Sequence, residues 1–235
     1  QLWHKPPYVP ADGHARAVAA ATQADLAIVF VGSPDAYETE GLDRPSMRLT
    51  GNQDELVAEV AQANPNTVVV VNAGTPVEMP WVNQVPAILW AYFPGQEGGH
   101  ALADILTGAV NPSGKLPLTL PARIEDNPTF INYPGDRSIL YGEDIFIGYR
   151  YYDARKIEPL FPFGHGLSYT QFTYSELDCP PSFRQGEPVE ISFTIRNDSN
   201  RSGSEVAQVY LHDVQSRVPR PPRELKGFKR VFLDP

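Results

Sequence analysis

Three short apolar runs constrain the first half of the chain more than any other feature. They are DLAIVFVG at residues 25–32, TVVVVNAG at residues 67–74 and AILWAYF at residues 87–93. None approaches the roughly 20 residues of a membrane-spanning helix, and each is typical of a strand buried on both faces of a parallel sheet. Helix-prone segments alternate with these runs, at residues 14–24, 52–64 and 98–108. The alternation predicts a layered α/β sheet, in which ligands bind at the carboxyl ends of the strands.

The second half of the chain has a different pattern. Residues 111–166 are rich in proline and aromatic side chains, and we expect mostly ordered loop there. After Gln171, PVEISFTIRN and SEVAQVYLHD alternate apolar and polar residues around the turn-rich NDSNRSG, which predicts strands of a β-sandwich. An immunoglobulin-like sandwich needs roughly 100 residues. We therefore expect a linker at 1–10, an α/β domain at 11–170 and a small or truncated sandwich at 171–235.

Composition excludes several classes of function. Asp and Glu number 28 against 19 Lys and Arg, a formal net charge of −9, which argues against nucleic acid or an anionic membrane as partner. The only cysteine, Cys179, cannot form an internal disulfide, and the five histidines are scattered. Motifs for nucleotide phosphates or a hydrolase serine elbow are missing. We expect neither a cofactor nor a bound metal.

The loop after the first apolar run holds most of the chemistry-bearing side chains. In GSPDAYETEGLDRPSMRLT these include Glu38, Glu40, Asp43 and Arg44. Carboxylates at the carboxyl edge of a sheet suit general acid/base work or cation binding, and the alternative is a solvated acidic loop. Arg44 is expected to form a surface salt bridge. A further carboxylate, Glu97, begins a predicted helix and is expected to be structural.

Six ordered segments together resemble one enzyme family. They are YETEGLDR with NQDELV, NPNTVVVVNAGTPVEMPW, PGQEGGHALADILTGAVNPSGKLPLTLP, YGEDIFIGYRYYD and FPFGHGLSYTQF. In this order they resemble the C-terminal half of glycoside hydrolase family 3 β-glucosidases, closest to the fungal type. The resemblance implies a retaining, exo-acting enzyme built from a (β/α)8 barrel, an α/β sandwich domain and a fibronectin type III-like domain.

The resemblance also implies a division of catalytic roles. The family's barrel carries the nucleophilic Asp, and its sandwich domain supplies the acid/base Glu from an E-G-x-D-R loop. Glu40 matches that position, Glu38 is its competitor, and Asp43 and Arg44 would shape the loop. The resemblance implies hydrolysis of a β-glucoside or a β-xyloside without a cofactor, and the sequence does not distinguish the two.

One departure from the family pattern is large. The sequence contains neither the Lys-His-Phe sugar-binding motif nor the Ser-Asp-Trp nucleophile segment of the barrel. We therefore expect a fragment or a processed piece that needs the missing barrel as partner and hydrolyses nothing alone. The alternative from another class is a non-catalytic carbohydrate-binding or scaffold fragment.

Two sequons bear on localisation. Asn197-Asp198-Ser199 and Asn200-Arg201-Ser202 lie in the predicted turn between strands. If a eukaryote secretes the protein, at least one of these asparagines should carry a glycan. We expect a secreted protein, with a cytoplasmic one as the alternative.

Overall fold

The computed structural model describes residues 12–41, 43–44, 46–135, 137–184 and 186–235. The linker predicted at residues 1–10 lies outside the described residues. The chain forms two compact units. The first contains the described residues up to Leu102 together with Leu120–Gly142, and the second contains Ala103–Thr119 and Glu143–Pro235. The predicted boundary between residues 170 and 171 stays a prediction.

The first unit is a layered α/β structure. Its elements are α1 (Gly13–Gln23), β1 (Ala27–Gly32), α2 (Gln53–Ala63), β2 (Thr67–Asn72), β3 (Ala87–Trp90), the first part of α3 (Gly98–Leu106) and 3-10 turns at Val82–Gln84 and Ile124–Asp126. The strands form a parallel sheet in the order β1-β2-β3. The predicted alternation of strand and helix, and with it the α/β class, is confirmed.

The central strand β2 carries the core of this unit. Val69, Val70 and Val71 are completely buried, and α2 packs against β1 and β2 with Val57 and Val60 also buried. Fully burying a side chain of this size stabilises the folded state by roughly 1.5–3 kcal/mol. The three consecutive buried valines show that β2 is covered on both faces, as predicted.

Strand β1 departs from the expectation. Ala27, Val29 and Val31 are buried, whereas Ile28 and Phe30 are 40% and 59% exposed. The prediction that the first run is buried on both faces is therefore wrong for β1. The physical reason is that the described residues cover only the face that β1 shares with α2.

The second unit contains the rest of α3, a short helix and two antiparallel strand pairs. Helix α4 spans Tyr149–Arg155, and the strands are β4 (Phe172–Asp178), β5 (Ser192–Asn197), β6 (Gly203–Leu211) and β7 (Glu224–Leu233). β4 pairs with β5, and β6 pairs with β7. The two strands predicted around NDSNRSG exist, but each pairs with a different strand. This arrangement fits the predicted sandwich.

The segment 111–166 is mostly irregular, as expected, and α4 is the one α-helix among its described residues. Helix α4 begins after Gly148, whose φ is 53°, and ends at Arg155, which is followed by Lys156 in the left-handed region. Tyr152 on this helix is only 4% exposed. Seven residues are too few for a stable isolated helix, so burial of one side stabilises α4 rather than local propensity.

The end of β1 fixes where the acidic loop starts. The Gly32 N–H donates to Gln53 Oε1 at 2.8 Å, and Gln53 Nε2 donates back to the Gly32 carbonyl at 2.9 Å. A Cβ atom at Gly32 would overlap the carbonyl oxygen of Asn72, the paired residue of β2. Only glycine therefore allows the two strands to approach this closely at their carboxyl ends.

We expect Gly32→Ala to lower the free energy of unfolding by about 1–3 kcal/mol, because the clash is with backbone and forces β1 and β2 apart. Denaturant unfolding measures the change. The control is Gly99→Ala in α3, where the added Cβ meets nothing within 4 Å. That variant should be neutral or slightly more stable. Equal destabilisation by both substitutions would contradict the packing argument.

A mostly buried ion pair organises the second unit. Lys115 Nζ donates to the Gly166 carbonyl at 2.6 Å and lies 3.1 Å from Glu205 Oε2 in β6. The two side chains are 17% and 12% exposed. Tyr174 Oη in β4 donates to Glu205 Oε1 at 3.1 Å, and burial together with the Glu205 charge raises the pKa of Tyr174 to about 12. One cluster thus joins the segment after α3 to both strand pairs.

We expect Lys115→Ala to cost about 3–5 kcal/mol of stability, because it leaves the Glu205 carboxylate buried without its cation. Thermal and denaturant unfolding measure the loss. The matched control is Lys226→Ala, whose ammonium pairs with Glu224 but is 51% exposed. It should change stability by about 1 kcal/mol or less. A similar small effect for Lys115→Ala would show that the buried pair contributes nothing.

Candidate active site

The acidic loop lies between β1 and α2, at the carboxyl edge of the parallel sheet. It begins at Ser33 and ends at Asn52, and it contains Glu38, Glu40, Asp43 and Arg44. Ligands of open α/β sheets collect at this edge because the loops that follow neighbouring strands converge there. The structure therefore places the four predicted residues in one loop at the expected edge of the sheet.

Glu38 is an anchor of this loop. Its Oε2 accepts a hydrogen bond from the Gly74 N–H at 3.0 Å, and its Oε1 accepts one from the Thr75 N–H at 3.0 Å. The Thr75 hydroxyl also donates to Oε1. The Glu38 side chain is 7% exposed. Since Gly74 and Thr75 follow β2, this carboxylate fastens the loop after β1 to the loop after β2.

Arg44 is a second anchor on the far side of Glu40. Its Nη2 donates to the Pro76 carbonyl at 2.6 Å, and its Nη1 lies 3.4 Å from Glu38 Oε1. The guanidinium carbon is 5.8 Å from the centre of the Tyr37 ring, within range of a cation–π interaction. The side chain is 15% exposed. The expected salt bridge of Arg44 forms, with Glu38 as its partner, but it is mostly buried and does not lie on the surface.

Glu40 has the opposite environment. It is exposed, and it forms no hydrogen bond or ion pair with any of the described residues. The next residue, Gly41, has a φ of 82°, a conformation that favours glycine. Glu40 therefore lies on a turn between the anchors Glu38 and Arg44.

Asp43 joins the acidic loop to a later part of the first unit. Its Oδ2 accepts a hydrogen bond from Tyr133 Oη at 2.6 Å. That hydrogen bond raises the pKa of the Tyr133 phenol above its usual value. Asp43 thus supports the acidic loop by binding a residue that lies 90 positions later in the sequence.

The two competing glutamates therefore differ in what their carboxylates can do. The oxygens of Glu38 accept hydrogen bonds from two backbone donors and one hydroxyl, and the side chain is 7% exposed, so they are engaged and poorly accessible. Glu40 has oxygens free to exchange a proton with a ligand. The geometry suits Glu38 to holding the loop and Glu40 to proton transfer.

The remaining sequence candidates lie elsewhere. Glu97 immediately precedes α3, is 72% exposed and lies 2.7 Å from His100 Nδ1, which suits the structural role expected of it. Within the described residues, no group of three or more His, Cys, Asp or Glu side chains could hold a metal ion. The same part of the chain has no helix with the length and hydropathy of a membrane span.

The two sequon asparagines differ in environment. Asn197 Nδ2 donates to the carbonyls of Arg201 at 2.8 Å and Asp234 at 3.0 Å, and the residue is half-buried. Asn200 is exposed. The amide of Asn200 is the more accessible of the two.

Sequence reasoning missed Gly74, Thr75 and Tyr133. Gly74 and Thr75 directly follow the second apolar run, so the convergence of loops at one sheet edge could have placed them beside the acidic loop. Tyr133 meets Asp43 from 90 residues away. No local pattern in the sequence indicates that contact.

Comparisons with known proteins identify the family of the chain. The family model described as the glycosyl hydrolase family 3 C-terminal domain matches residues 11–169, and a fibronectin type III-like domain matches residues 205–235. The chain is 49% identical over 218 residues to thermostable beta-glucosidase B of Acetivibrio thermocellus, covering 92% of this chain and 29% of that protein. It is 47% identical over 226 residues to the probable beta-glucosidase I of Aspergillus flavus, covering 93% and 27%.

Solved structures give the same result. The crystal structure of a β-glucosidase from Kluyveromyces marxianus in complex with glucose matches with a TM-score of 0.92 and 42% identity, over 98% of this chain and 27% of that one. β-Glucosidase 3B of Thermotoga neapolitana in complex with glucose matches with a TM-score of 0.85 and 35% identity, over 98% and 33%.

The chain thus spans between a quarter and a third of the length of these four relatives. The family match covers most of the sequence, including the whole acidic loop, and the fibronectin type III-like match covers β7 and most of β6. This chain belongs to glycosyl hydrolase family 3, of which it contains C-terminal domain sequence followed by fibronectin type III-like sequence.

Proposed function

We propose that this chain supplies the general acid/base of a retaining, exo-acting β-glucosidase that removes terminal non-reducing β-D-glucosyl residues. The observation that carries the proposal is the contrast between two neighbouring carboxylates at the sheet edge. Glu40 is exposed on a turn between two anchors, while the oxygens of Glu38 are engaged by Gly74 and Thr75. The β-glucosidases among the relatives support the substrate class.

In the first step Glu40 acts as the acid. A nucleophilic Asp of the barrel attacks the anomeric carbon, and the bond from that carbon to the glycosidic oxygen breaks. The carboxyl proton of Glu40 passes to the departing oxygen, which leaves as an alcohol. This step produces a glycosyl-enzyme ester and an ionised Glu40.

In the second step the same residue acts as the base. Glu40 takes a proton from a water molecule whose oxygen attacks the anomeric carbon, and the ester bond to Asp breaks. Glucose leaves with its original configuration, and Glu40 is protonated again. The two carboxyl groups must lie about 5–5.5 Å apart for this sequence of steps.

The mechanism requires a partner that carries the nucleophile. This chain supplies one of the two carboxyl groups, that of Glu40. The (β/α)8 barrel of the same enzyme supplies the other carboxyl group and the sugar-binding pocket. The relatives are long enough to contain such a domain, since this chain covers 27–29% of the two curated ones. No cofactor is needed for this chemistry.

The proposal predicts a specific phenotype for Glu40→Ala in the full-length enzyme. The variant should lose roughly 10²- to 10⁴-fold in kcat/KM on cellobiose, whose leaving group needs a proton. The loss should be much smaller with 2,4-dinitrophenyl β-glucoside, whose phenolate leaves unaided. Added azide should then accelerate turnover and yield β-glucosyl azide, because azide attacks the glycosyl-enzyme without a base.

The control for this experiment is Glu38→Ala. That variant retains the Glu40 carboxylate as a base, so azide should accelerate it far less than it accelerates Glu40→Ala. If azide rescues Glu38→Ala and leaves Glu40→Ala unchanged, the acid/base is two residues earlier. Uniform loss across leaving groups in both variants would assign the loop a structural role only.

We also propose that the protein is secreted and that Asn200 is its glycan acceptor in this turn. A glycan on Asn197 would displace the hydrogen bonds of Nδ2 to Arg201 and Asp234, whereas Asn200 is exposed. Peptide mass analysis of the natively secreted protein should find hexosamine on Asn200. Asn200→Gln should remove that mass without destabilising the fold. Unmodified peptide from secreted eukaryotic material would contradict the assignment.

A further inference from the structure

We infer that Glu38 is a positioning residue for Glu40, acting through a clasp that consists of Glu38, Arg44, Gly74, Thr75 and Pro76. This inference rests on the proposed function of Glu40. Under this inference, Glu38 affects kcat/KM through the position of Glu40, in addition to holding the loop.

The first argument is the position of the clasp in the chain. Glu38 lies two residues before Glu40 and Arg44 lies four residues after it, so the exposed turn is held on both sides. Both anchors bind the same short segment after β2: Glu38 contacts Gly74 and Thr75, and Arg44 contacts the Pro76 carbonyl at 2.6 Å. A displacement of either anchor must therefore move the Glu40 backbone relative to the sheet.

The second argument is chemical. The Glu38 carboxylate accepts from two backbone N–H groups and one hydroxyl, and it faces the Arg44 guanidinium across 3.4 Å. Charge-assisted hydrogen bonds of this kind are roughly twice as strong as neutral ones. A glutamine at this position could offer only its carbonyl oxygen to these donors. Its amide nitrogen would oppose the Gly74 N–H or the Arg44 guanidinium, so an isosteric change would loosen the clasp.

The third argument is that general acid catalysis depends steeply on geometry. A displacement of about 1 Å can cost on the order of 10²-fold in rate. The Glu40 side chain has no partner among the described residues, so its position depends on the backbone on either side, which the clasp holds together with the isolated bridge at Thr39. Loosening the clasp should therefore impair proton transfer selectively.

The test is a double-mutant cycle in the full-length enzyme, using aryl β-glucosides whose phenols differ in acidity. Glu38→Gln should lower kcat/KM by roughly 10- to 100-fold for the least acidic phenol and only slightly for the most acidic one. Its dependence on leaving-group acidity should therefore become steeper. In the Glu40→Ala background, the same Glu38→Gln substitution should add little further loss, since the residue through which it acts is gone.

Two additional variants keep the test valid if Glu38→Gln folds poorly. Thr75→Val removes one donor to Glu38 with little change of shape and should show the same selective loss, roughly 2- to 10-fold. Glu55→Gln, an exposed carboxylate on α2, should leave the leaving-group dependence unchanged. Thermal unfolding measures the folded fraction of each variant.

The outcomes separate this inference from the proposed function. Suppose that Glu40→Ala behaves as expected. If Glu38→Gln and Thr75→Val then lose activity equally for all phenols, or if their losses are the same in the wild-type and Glu40→Ala enzymes, the positioning role is overturned and the proposed function stands. If Glu40→Ala itself shows no leaving-group dependence, both are overturned. A steeper dependence that disappears in the Glu40→Ala background supports the inference.

Discussion

The hydrogen bonds to the buried carboxylate of Glu38 are the interaction on which the arrangement of the acidic loop depends. A carboxylate that is 7% exposed would be costly to bury without partners, and here backbone amides, a hydroxyl and a guanidinium provide them. These donors are brought together by the parallel pairing of β1 with β2, which ends both strands at the same edge. The close approach of β1 and β2 at Gly32 therefore makes the clasp possible. The clasp in turn holds the exposed turn that carries Glu40.

Much of the fold could be predicted from residue patterns alone. The runs that became β1 and β2 are rich in β-branched residues, and α2 between them places Val57, Val60 and Ala61 on one buried face. Gly108, with a φ of 78°, follows α3 in the left-handed conformation that a glycine adopts after a helix, and its N–H donates to the Ile105 carbonyl at 2.9 Å. These features are local, so a sequence pattern suffices to find them.

The features that could not be predicted depend on contacts distant in sequence. Helix α4 is held by the burial of Tyr152, and the pairing of Lys115 with Glu205 joins residues 90 positions apart. Ile28 and Phe30 of β1 are exposed because no described element packs on their face of the sheet. The sequence of β1 alone does not indicate this. In the site, the loop and its carboxylates follow from the pattern, whereas the different environments of Glu38 and Glu40 depend on Gly74 and Thr75.

The interleaving of the two compact units has a consequence for synthesis on the ribosome. The first unit needs residues up to Gly142, but Ala103–Thr119 of the second unit are translated before that point. Lys115 then waits for Glu205, 90 residues later, which at about 5–20 residues per second takes on the order of 10 s. Neither unit can be released by a single cut in the polypeptide.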